Sequence, residues 1–349
     1  MKSKKGVVEV QFNWIFILIA GALILAFFIS LVAKQKTTSD LSAKAKISVD
    51  LEAILTGAGS SRGTVNIIDI PKAEIEFYCG SYMIGGISRD AKEIIFAPSL
   101  IKGTKLIAWS LGWDVPYRVT NFLYLTSPEV RYILVGTGDL FLEINKTIPD
   151  KINKEWYPTK PTDTFPLIVQ SKNNYKVKFV LFDTIITSNV DISALSKMPD
   201  DDVTAIKING DINSGEITFY KKQGGSWKGT GEGTSYYLGK ESLIGAIFSE
   251  YKDIETEKVY DCIMKKAFKR LDIVSQIYAS RSNEIKNTVT DTTCAGIHSS
   301  ANIDLISISD ISAALSQSFP NTLNDIVGKA SNLKNLNDNA QSYSCPLIY

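Results

Sequence analysis

The chain has 349 residues, of which 44% are hydrophobic and 10% aromatic, so it is long enough for one large folded domain or two smaller ones. Its 38 Lys and Arg residues nearly balance its 37 Asp and Glu residues, which leaves a formal net charge of +1. Because nucleic-acid binders depend on excess basic surface to neutralise phosphates, this balance argues against a nucleic-acid partner.

The first predicted element is an apolar helix over residues 14–33, WIFILIAGALILAFFISLVA. This segment carries no charge, and Ser30 is its only conventional polar side chain. At about 1.5 Å per residue, a helix of this length spans the roughly 30 Å hydrocarbon core of a bilayer. Helices buried in soluble proteins rarely stay apolar on every face for so long. The segment therefore predicts one transmembrane helix in contact with membrane lipid.

Basic residues flank this helix on both sides. Lys2, Lys4 and Lys5 precede it, whereas Lys34 and Lys36 follow it. The positive-inside rule then favours a cytoplasmic N-terminus and an extracytoplasmic main domain. The apolar run also exceeds the roughly 7–15 residues of a cleaved signal peptide. We therefore expect an uncleaved signal anchor in the cell membrane, crossing it once.

Residues 34–63 predict a helical stem followed by a linker. Apolar residues recur at mainly helical spacing over 41–55, and the glycines of GAGSSRG, residues 57–63, supply a stop signal. The polar residues 37–39 suggest a break between the stem and the membrane helix. A basic tail (1–13), a transmembrane helix (14–33) and this stem thus precede the main domain.

Residues 64–237 predict a mixed α/β domain. Nine segments combine β-branched or aromatic residues with nearby turn signals. They are TVNIID, AEIEFYC, EIIFAP, KLIAWSL, FLYLTS, VRYILVG, YKVKFVLFD, VTAIKI and GEITFYKK. Several are short apolar runs, which indicates a sheet covered on both faces. Helices are predicted in GDLFLEINKTIPDKI and, shorter, in DISALSKMP. The fold class is α/β or mixed α+β, with a partial Rossmann-like sheet as one possibility.

Residues 238–349 predict a C-terminal helical region. Helices are expected over 243–251 and 255–285, and the second carries an apolar stripe that includes Tyr260, Met264 and Phe268. DISAALSQSF and TLNDIVGKASNLKNLNDNAQ predict two further helices, separated by a proline. We expect these helices to pack on the sheet or on one another.

Four cysteines, Cys79, Cys262, Cys294 and Cys345, lack Cys-x-x-Cys spacing, and His298 is the only histidine. A zinc site is therefore not indicated. An even number of cysteines outside the cytoplasm permits two disulfides with three possible pairings, and a bridge between two of the three C-terminal cysteines would fix the tail. Buried free thiols are the alternative.

The segment VRYILVGTGDLFLEI, residues 130–144, is the first candidate site. A strand that ends in Gly136-Thr137-Gly138 and leads into a helix could place a phosphate at the helix N-terminal amides. Phe141 replaces the third glycine of the dinucleotide pattern, and Asp139 would repel an anion. A glycine turn with Asp139 near the helix cap is therefore the preferred interpretation.

Three other segments carry weaker signals. SWKGTGEGTSYYLGK, with glycines at 229, 231 and 233, lacks the Gly-Lys-Ser/Thr end of a phosphate loop and indicates a hairpin or surface loop. The acidic run 200–202 lacks the spacing of a calcium loop and indicates a solvated turn. The basic run KKAFKR, residues 265–270, has acidic neighbours and indicates a solvated helix face.

Nucleophilic catalysis is poorly supported. A triad would have to use His298, and no Gly-x-Ser-x-Gly elbow is present. Cys294 and His298 are four residues apart, but the TTCAG sequence around Cys294 is a poor helix start. Paired carboxylates brought together by folding remain an alternative. We assign no catalytic, cofactor or metal residue, and note one glycosylation sequon at Asn145.

The N-terminal sequence KSKKGVVEVQFNWIFILIAGALILAFF resembles archaeal surface proteins, including type IV pilin-like proteins. The resemblance implies a leader boundary between Gly6 and Val7 and a glutamate shortly afterwards. Glu9 would be the third mature residue, whereas Gln11 occupies the fifth, where the glutamate usually stands. The remaining chain resembles uncharacterised membrane-anchored proteins of uncultivated archaea, which implies no activity.

Three functions are consistent with these sequence features. The leading hypothesis is a non-catalytic extracytoplasmic protein that binds a partner, or another copy of itself, or supports an envelope structure. The second is a pilin-like filament subunit whose apolar helix packs in the filament. The third is a membrane-anchored α/β enzyme, such as a hydrolase, which would need a pocket with converging acidic residues or Cys294 beside His298.

Overall fold

A computed structural model describes residues 5–60, 63–183, 189–250, 253–254, 257–319 and 323–349. The chain divides into two compact units, Met1–Leu51 and Glu52–Tyr349. The second unit has a mixed α+β fold, as the sequence predicts, with two mixed sheets followed by helices.

The apolar segment lies in a long helix, α1, Lys5–Ser60. From Trp14 to Val32 its apolar side chains are exposed along the helix, and Phe16, for example, is 71% exposed. Among the described residues, this is the one helix that is long and apolar enough to cross a membrane. The expected break at 37–39 and the stop at Gly57 are wrong, because the helix continues to Ser60. Glycine costs about 1 kcal/mol inside a helix, which does not suffice to end it.

The first sheet has strand order β3-β2-β1-β5-β6-β4, and only the pairing of β4 with β6 is parallel. Its strands are β1 Val65–Phe77, β2 Ser81–Ile84, β3 Ile87–Asp90, β4 Ile94–Phe96, β5 Leu100–Asp114 and β6 Arg118–Thr126. Strands β1, β5 and β6 form its antiparallel centre, so the β2–β3 hairpin lies at one edge.

The second sheet has strand order β14-β13-β12-β10-β7-β8. Strands β12, β10, β7 and β8 are parallel, and β13 and β14 extend the sheet as an antiparallel hairpin. The strands are β7 Val130–Val135, β8 Lys154–Tyr157, β10 Lys176–Phe182, β12 Val203–Gly210, β13 Ser214–Gln223 and β14 Ser226–Leu238. Two short pairs complete the described strands: β9 Leu167–Ile168 with β11 Val190–Asp191, and β15 Asp253–Ile254 with β16 Glu257–Lys258.

The helices of the second unit are α2 Asp139–Thr147, α3 Gly239–Phe248, α4 Val259–Thr288, α5 Thr292–Gln317 and α6 Asn324–Ser342. Helix α5 begins well before the predicted DISAALSQSF segment, because Asp291 caps it by accepting hydrogen bonds from the amides of Thr293 and Cys294 at 2.7 and 3.0 Å. The predicted DISALSKMP helix is only a 3₁₀ turn, Ser193–Leu195. A repeated βα pattern of the Rossmann type is therefore not formed by the described residues.

Helix α3 contacts strands of both sheets. Side chains of both sheets and of helices α2 to α6 form one large core, which includes Phe96, Leu134, Ile244 and Phe268. The other face of the second sheet is covered by Val169, Val190, Ile192 and Leu195, and Trp227 packs there against Phe179. The second sheet is thus buried on both faces, as its apolar runs indicate.

Candidate functional site

A cleft of about 660 Å³ opens at the carboxyl ends of the parallel strands β7, β10 and β12. Ligands in open α/β sheets commonly bind at this edge. The lining comes from the β7–α2 turn, the first turns of α2, and the residues that follow β10 and β12. These residues are Thr137, Gly138, Asp139, Leu140, Leu142, Glu143, Lys146, Asp183, Gly210, Asp211 and Ile212.

Glycine turns shape one wall of the cleft. Gly136 ends β7 with φ 155°, and a Cβ there would lie 2.5 Å from Cβ of Phe182. Gly138, with φ 93°, is the N-cap residue of α2, and a glycine has no side chain that could accept a hydrogen bond from the helix amides. Gly136 therefore allows the close approach of the neighbouring strand, and the positive φ of Gly138 allows the immediate turn into the helix. The predicted strand–glycine turn–helix arrangement of 130–144 is present.

The cleft is acidic. Four carboxylates and one lysine line it. Glu143 pairs with Lys240 at 2.5 Å, and the hydrogen bond from Lys240 lowers the pKa of that carboxyl group. Asp211 Oδ1 accepts hydrogen bonds from the amides of Asn213 and Ser214. The negative excess disfavours a phosphate at the N-terminus of α2, even though the helix amides alone would attract one.

Asp139 and Asp183 are both exposed and line the cleft. Asp183 follows β10 directly and has φ 52°, in the left-handed region that aspartate tolerates better than most side chains. Leu142 and Ile212 add exposed apolar surface, at 53% and 40%. The cleft therefore combines acidic and apolar contacts, which suits a neutral or cationic ligand rather than an anion.

The cysteines form two bridges, Cys79–Cys262 and Cys294–Cys345, with Cα–Cα distances of 5.7 and 5.4 Å. The second ties the start of α5 to the C-terminal tail. His298 is fully buried, and its Nε2 donates to the carbonyl of Pro346 at 2.9 Å. Because Cys294 is in a disulfide, it offers no thiol for catalysis with His298.

The other candidate segments have structural roles. Asp200 pairs with buried Lys222 at 3.1 Å and accepts a hydrogen bond from the amide of Gly224. Trp227 and Tyr237 lie on strand β14 and pack into the core. The segment SWKGTGEGTSYYLGK therefore forms part of a β-hairpin rather than a surface loop. Among the described residues, no group of three or more His, Cys, Asp or Glu side chains is arranged to hold a metal ion.

The basic run of α4 is partly used in packing. Arg270 donates to Thr120 Oγ1 at 2.6 Å and to the carbonyl of Lys92 at 2.7 Å, which joins α4 to the first sheet. Lys266 is half-buried, whereas Lys269 is exposed. A continuous free basic surface is therefore not formed by these side chains.

The predicted glycosylation site, Asn145, and the predicted leader cleavage site, between Gly6 and Val7, both lie on helices. Asn145 is half-buried on α2, and its Oδ1 is enclosed without a hydrogen-bond partner. Gly6 and Val7 belong to the first turn of α1, and their side chains lie outside the described part of the structure. Glycosylation and leader cleavage both stay predictions.

The sequence gives little sign of a buried polar cluster between the two sheets. Lys176 pairs with Glu250 at 2.6 Å, and Ser99 Oγ donates to the same carboxylate at 2.7 Å. Lys178 Nζ donates to the carbonyls of Ala246, at 2.9 Å, and Ser249 at the end of α3. The only sequence signal is a pair of lysines in an otherwise apolar strand, and no described cleft reaches them.

The contacts of Lys176, Lys178 and Glu250 give this buried polar cluster a structural role. Comparison of the chain with protein-family models, with curated proteins and with solved structures finds no significant match. The assignment of function therefore depends on the apolar helix, the disulfide bridges and the acidic cleft.

Proposed function

We propose that this chain is a single-pass membrane protein that holds its α+β unit outside the cytoplasm and binds a ligand or partner there without catalysing a reaction. The observation that carries this proposal is the uninterrupted exposed apolar surface of Trp14–Val32. Left in water, such a surface would cost about 25 cal/mol for each Å² of apolar area. A bilayer removes that cost.

The extracytoplasmic location has two supports. The positive-inside rule favours a cytoplasmic N-terminus. The two disulfides are typical of oxidising compartments, and each closes a long loop, with sequence separations of 183 and 51 residues.

The acidic cleft is the binding site that we propose for the second unit. Its carboxylates and its exposed Leu142 and Ile212 favour a ligand with a positive charge or hydroxyl groups over a phosphate compound. A ligand screen by thermal shift would compare amines and neutral sugars with phosphates. Compounds stabilising the wild type but not Asp183→Asn would support the cleft as the site, and stabilisation by phosphates alone would contradict its proposed preference.

Extraction of membranes with alkaline carbonate tests the anchor. We expect the full chain to stay in the membrane pellet, whereas Leu23→Lys combined with Ile24→Lys releases it, because each central lysine costs about 2.5–3.5 kcal/mol in a bilayer. Leu142→Lys is the matched control, since Leu142 is an exposed leucine of the second unit. Release of the wild-type chain into the aqueous phase as a dispersed monomer would contradict the proposal.

A pilin-like filament subunit is the second proposal. The continuous 56-residue helix α1, apolar in its N-terminal half, favours it. Mass spectrometry of the mature N-terminus distinguishes the two. Cleavage after Gly6 would support processing of the pilin type, whereas intact Lys2, Lys4 and Lys5 would oppose it.

A membrane-anchored enzyme is favoured by one observation, the convergence of Asp139, Asp183 and Asp211 on one cleft. Carboxylate-based hydrolysis needs one acid that stays protonated, and the lowered pKa of Glu143 makes that residue unsuitable. If the cleft is an active site, hydrolysis of model glycosides should fall about 100-fold or more in Asp183→Asn. Equal hydrolysis by the two proteins would exclude this role for Asp183.

A further inference from the structure

The Cys79–Cys262 bridge joins an edge of the first sheet to the start of α4. Cys79 lies in the tight turn between β1 and β2, where the amide of Tyr78 donates to the carbonyl of Ser81 at 2.9 Å. Cys262 is the fourth residue of α4. Both cysteines are half-buried, so a thiol in solution has partial access to this bridge.

Two groups near the bridge favour a negative charge, the amides of α4 and the side chain of Lys266. Cys262 lies within the first turn of α4, where the helix amides stabilise a negative charge. Lys266 is one turn further along, and a Cβ at Gly80, the residue after Cys79, would lie 2.5 Å from Lys266 Nζ. Burial, and next the charge of Arg270, lower the pKa of Lys266, as expected where cations crowd together.

The acidic groups nearby are already engaged. Asp261 accepts a hydrogen bond from Ser235, on the buried side of α4. Glu76 accepts a hydrogen bond from the hydroxyl of Tyr78 at 2.5 Å. Asp90 interacts with Lys266 and partly offsets its charge. The amides of α4 and the cation of Lys266 are therefore the groups at this bridge that would stabilise a thiolate once it is opened.

The second bridge also has one cysteine in the first turn of a helix, Cys294 in α5, but this bridge is more buried than the first. Cys294 and Cys345 are each only 7% exposed, and they pack with Ala340 and Ile297. Access to a disulfide controls its exchange rate together with the thiol pKa values. The second bridge should therefore resist reductants that open the first.

We propose that Cys79–Cys262 is an exchange-active disulfide that clamps the β2–β3 hairpin to α4 and opens on reaction with an external dithiol. One thiolate of the dithiol attacks Sγ of Cys79. The Cys79–Cys262 bond breaks, and its electron pair leaves on Cys262, whose thiolate the helix stabilises. The second thiol of the dithiol then attacks the dithiol's other sulfur in the mixed disulfide and releases Cys79. The dithiol leaves as an intramolecular disulfide, and the two protons that it carried pass to Cys79 and Cys262.

Opening the bridge should loosen the hairpin and leave α4 in place. Strand β2 pairs with β1 over only three residue pairs, and the amide of Ala91 donates to the carbonyl of Gly80 at 2.8 Å. Helix α4 is held independently by fully buried side chains, among them Met264, Phe268 and Leu271. Tyr82 and Ile84 of this hairpin are also buried, so the bridge adds to their packing in holding residues 81–90.

Timed reduction tests this inference on the oxidised full chain in detergent micelles. Dithiothreitol is added, samples are quenched with N-ethylmaleimide, and labelled cysteines are mapped by mass spectrometry. We expect Cys79 and Cys262 to be labelled at least about tenfold faster than Cys294 and Cys345. Equal rates, or faster labelling of the second pair, would overturn the proposal.

Two variants separate local charge from general charge. Lys266→Gln should slow reduction of Cys79–Cys262 about threefold or more, and Lys269→Gln, an exposed lysine of the same helix, should leave the rate unchanged. Equal slowing in both variants would contradict the role of Lys266. Hydrogen exchange after selective reduction should rise over 81–90 and not over 264–271; a rise in both segments would show that the bridge stabilises the whole unit instead.

Discussion

Lys178 is a buried lysine whose charge conflicts with its surroundings. Burial lowers its pKa to about 7, the nearby carboxylate of Glu250 opposes that shift, and Lys176 adds to it. Hydrogen bonds to the last carbonyls of α3 still favour the ammonium form. The residue therefore titrates near neutrality in the folded chain but near pH 10.4 in the unfolded chain.

This difference predicts a pH dependence of stability. Between about pH 7 and 10 the unfolded chain binds a proton that the folded chain does not, so the free energy of unfolding should rise with pH by up to about 1.4 kcal/mol per unit. Urea unfolding of the full chain in micelles from pH 7 to 9.5 measures the slope, and Lys178→Met should reduce it. An unchanged slope in the variant would contradict the assignment.

The burial of a lysine such as Lys178 could not be predicted from the sequence. YKVKFVLFD correctly indicates a strand, but alternating lysines usually mark a solvent-facing side of a sheet. Here α3 and the first sheet cover that side, and the carbonyls that receive Lys178 come from residues about 70 positions later. Only the fold brings these groups together. Asp139, Asp183 and Asp211 likewise line one cleft only because the fold places them at the same edge of the second sheet.

At the scale of elements, close packing decides the role of Gly245 in α3. A Cβ at this position would lie 2.8 Å from the ring of Phe96, whereas a Cβ at Gly296 in α5 would meet nothing within 4 Å. Alanine normally stabilises a helix by about 1 kcal/mol relative to glycine. The space around each glycine therefore sets the sign of the effect.

We predict that Gly245→Ala destabilises the chain by about 1–3 kcal/mol, because the added methyl group displaces Phe96. Gly296→Ala should instead stabilise it by about 0.5–1 kcal/mol. Urea unfolding midpoints measure both changes. A stabilising effect of both substitutions would show that α3 moves away from the first sheet at little cost.

Periodicity predicts most elements but not all of their ends. The predicted α4 range, 255–285, overlaps the observed helix Val259–Thr288 well, because its apolar stripe extends over many turns. Apolar periodicity does not predict the start of α5, because Asp291, which caps the helix before TTCAG, sets that start. DISALSKMP forms only a 3₁₀ turn because it ends in Met198-Pro199, and proline disfavours a helical conformation of the residue before it.

At the scale of the whole molecule, the pair Lys176–Glu250 links the two sheets of the second unit. Burial raises the pKa of Glu250, but the charges and hydrogen bonds of Lys176, Lys178 and Ser99 outweigh burial and lower it overall. Ser99 precedes β5 of the first sheet, and Lys176 begins β10 of the second. The ionised carboxylate is thus a shared contact of both sheets.

Glu250→Gln should destabilise the chain by about 3–5 kcal/mol, because it leaves Lys176 buried without an opposite charge. Lys176→Met combined with Glu250→Leu removes both charges and should recover much of that loss. Urea unfolding of the single and double variants measures the coupling. Additive losses in the double variant would show that the two side chains act independently.

In the proposed topology, residues beyond the apolar helix lie outside the cytoplasm. The most direct measurement is labelling of intact cells with a membrane-impermeant amine reagent, followed by peptide mapping before and after lysis. We predict labelling of exposed Lys160, Lys172 and Lys269 in intact cells, and of Lys2, Lys4 and Lys5 only after lysis. Labelling of Lys160, Lys172 and Lys269 only after lysis would contradict the account.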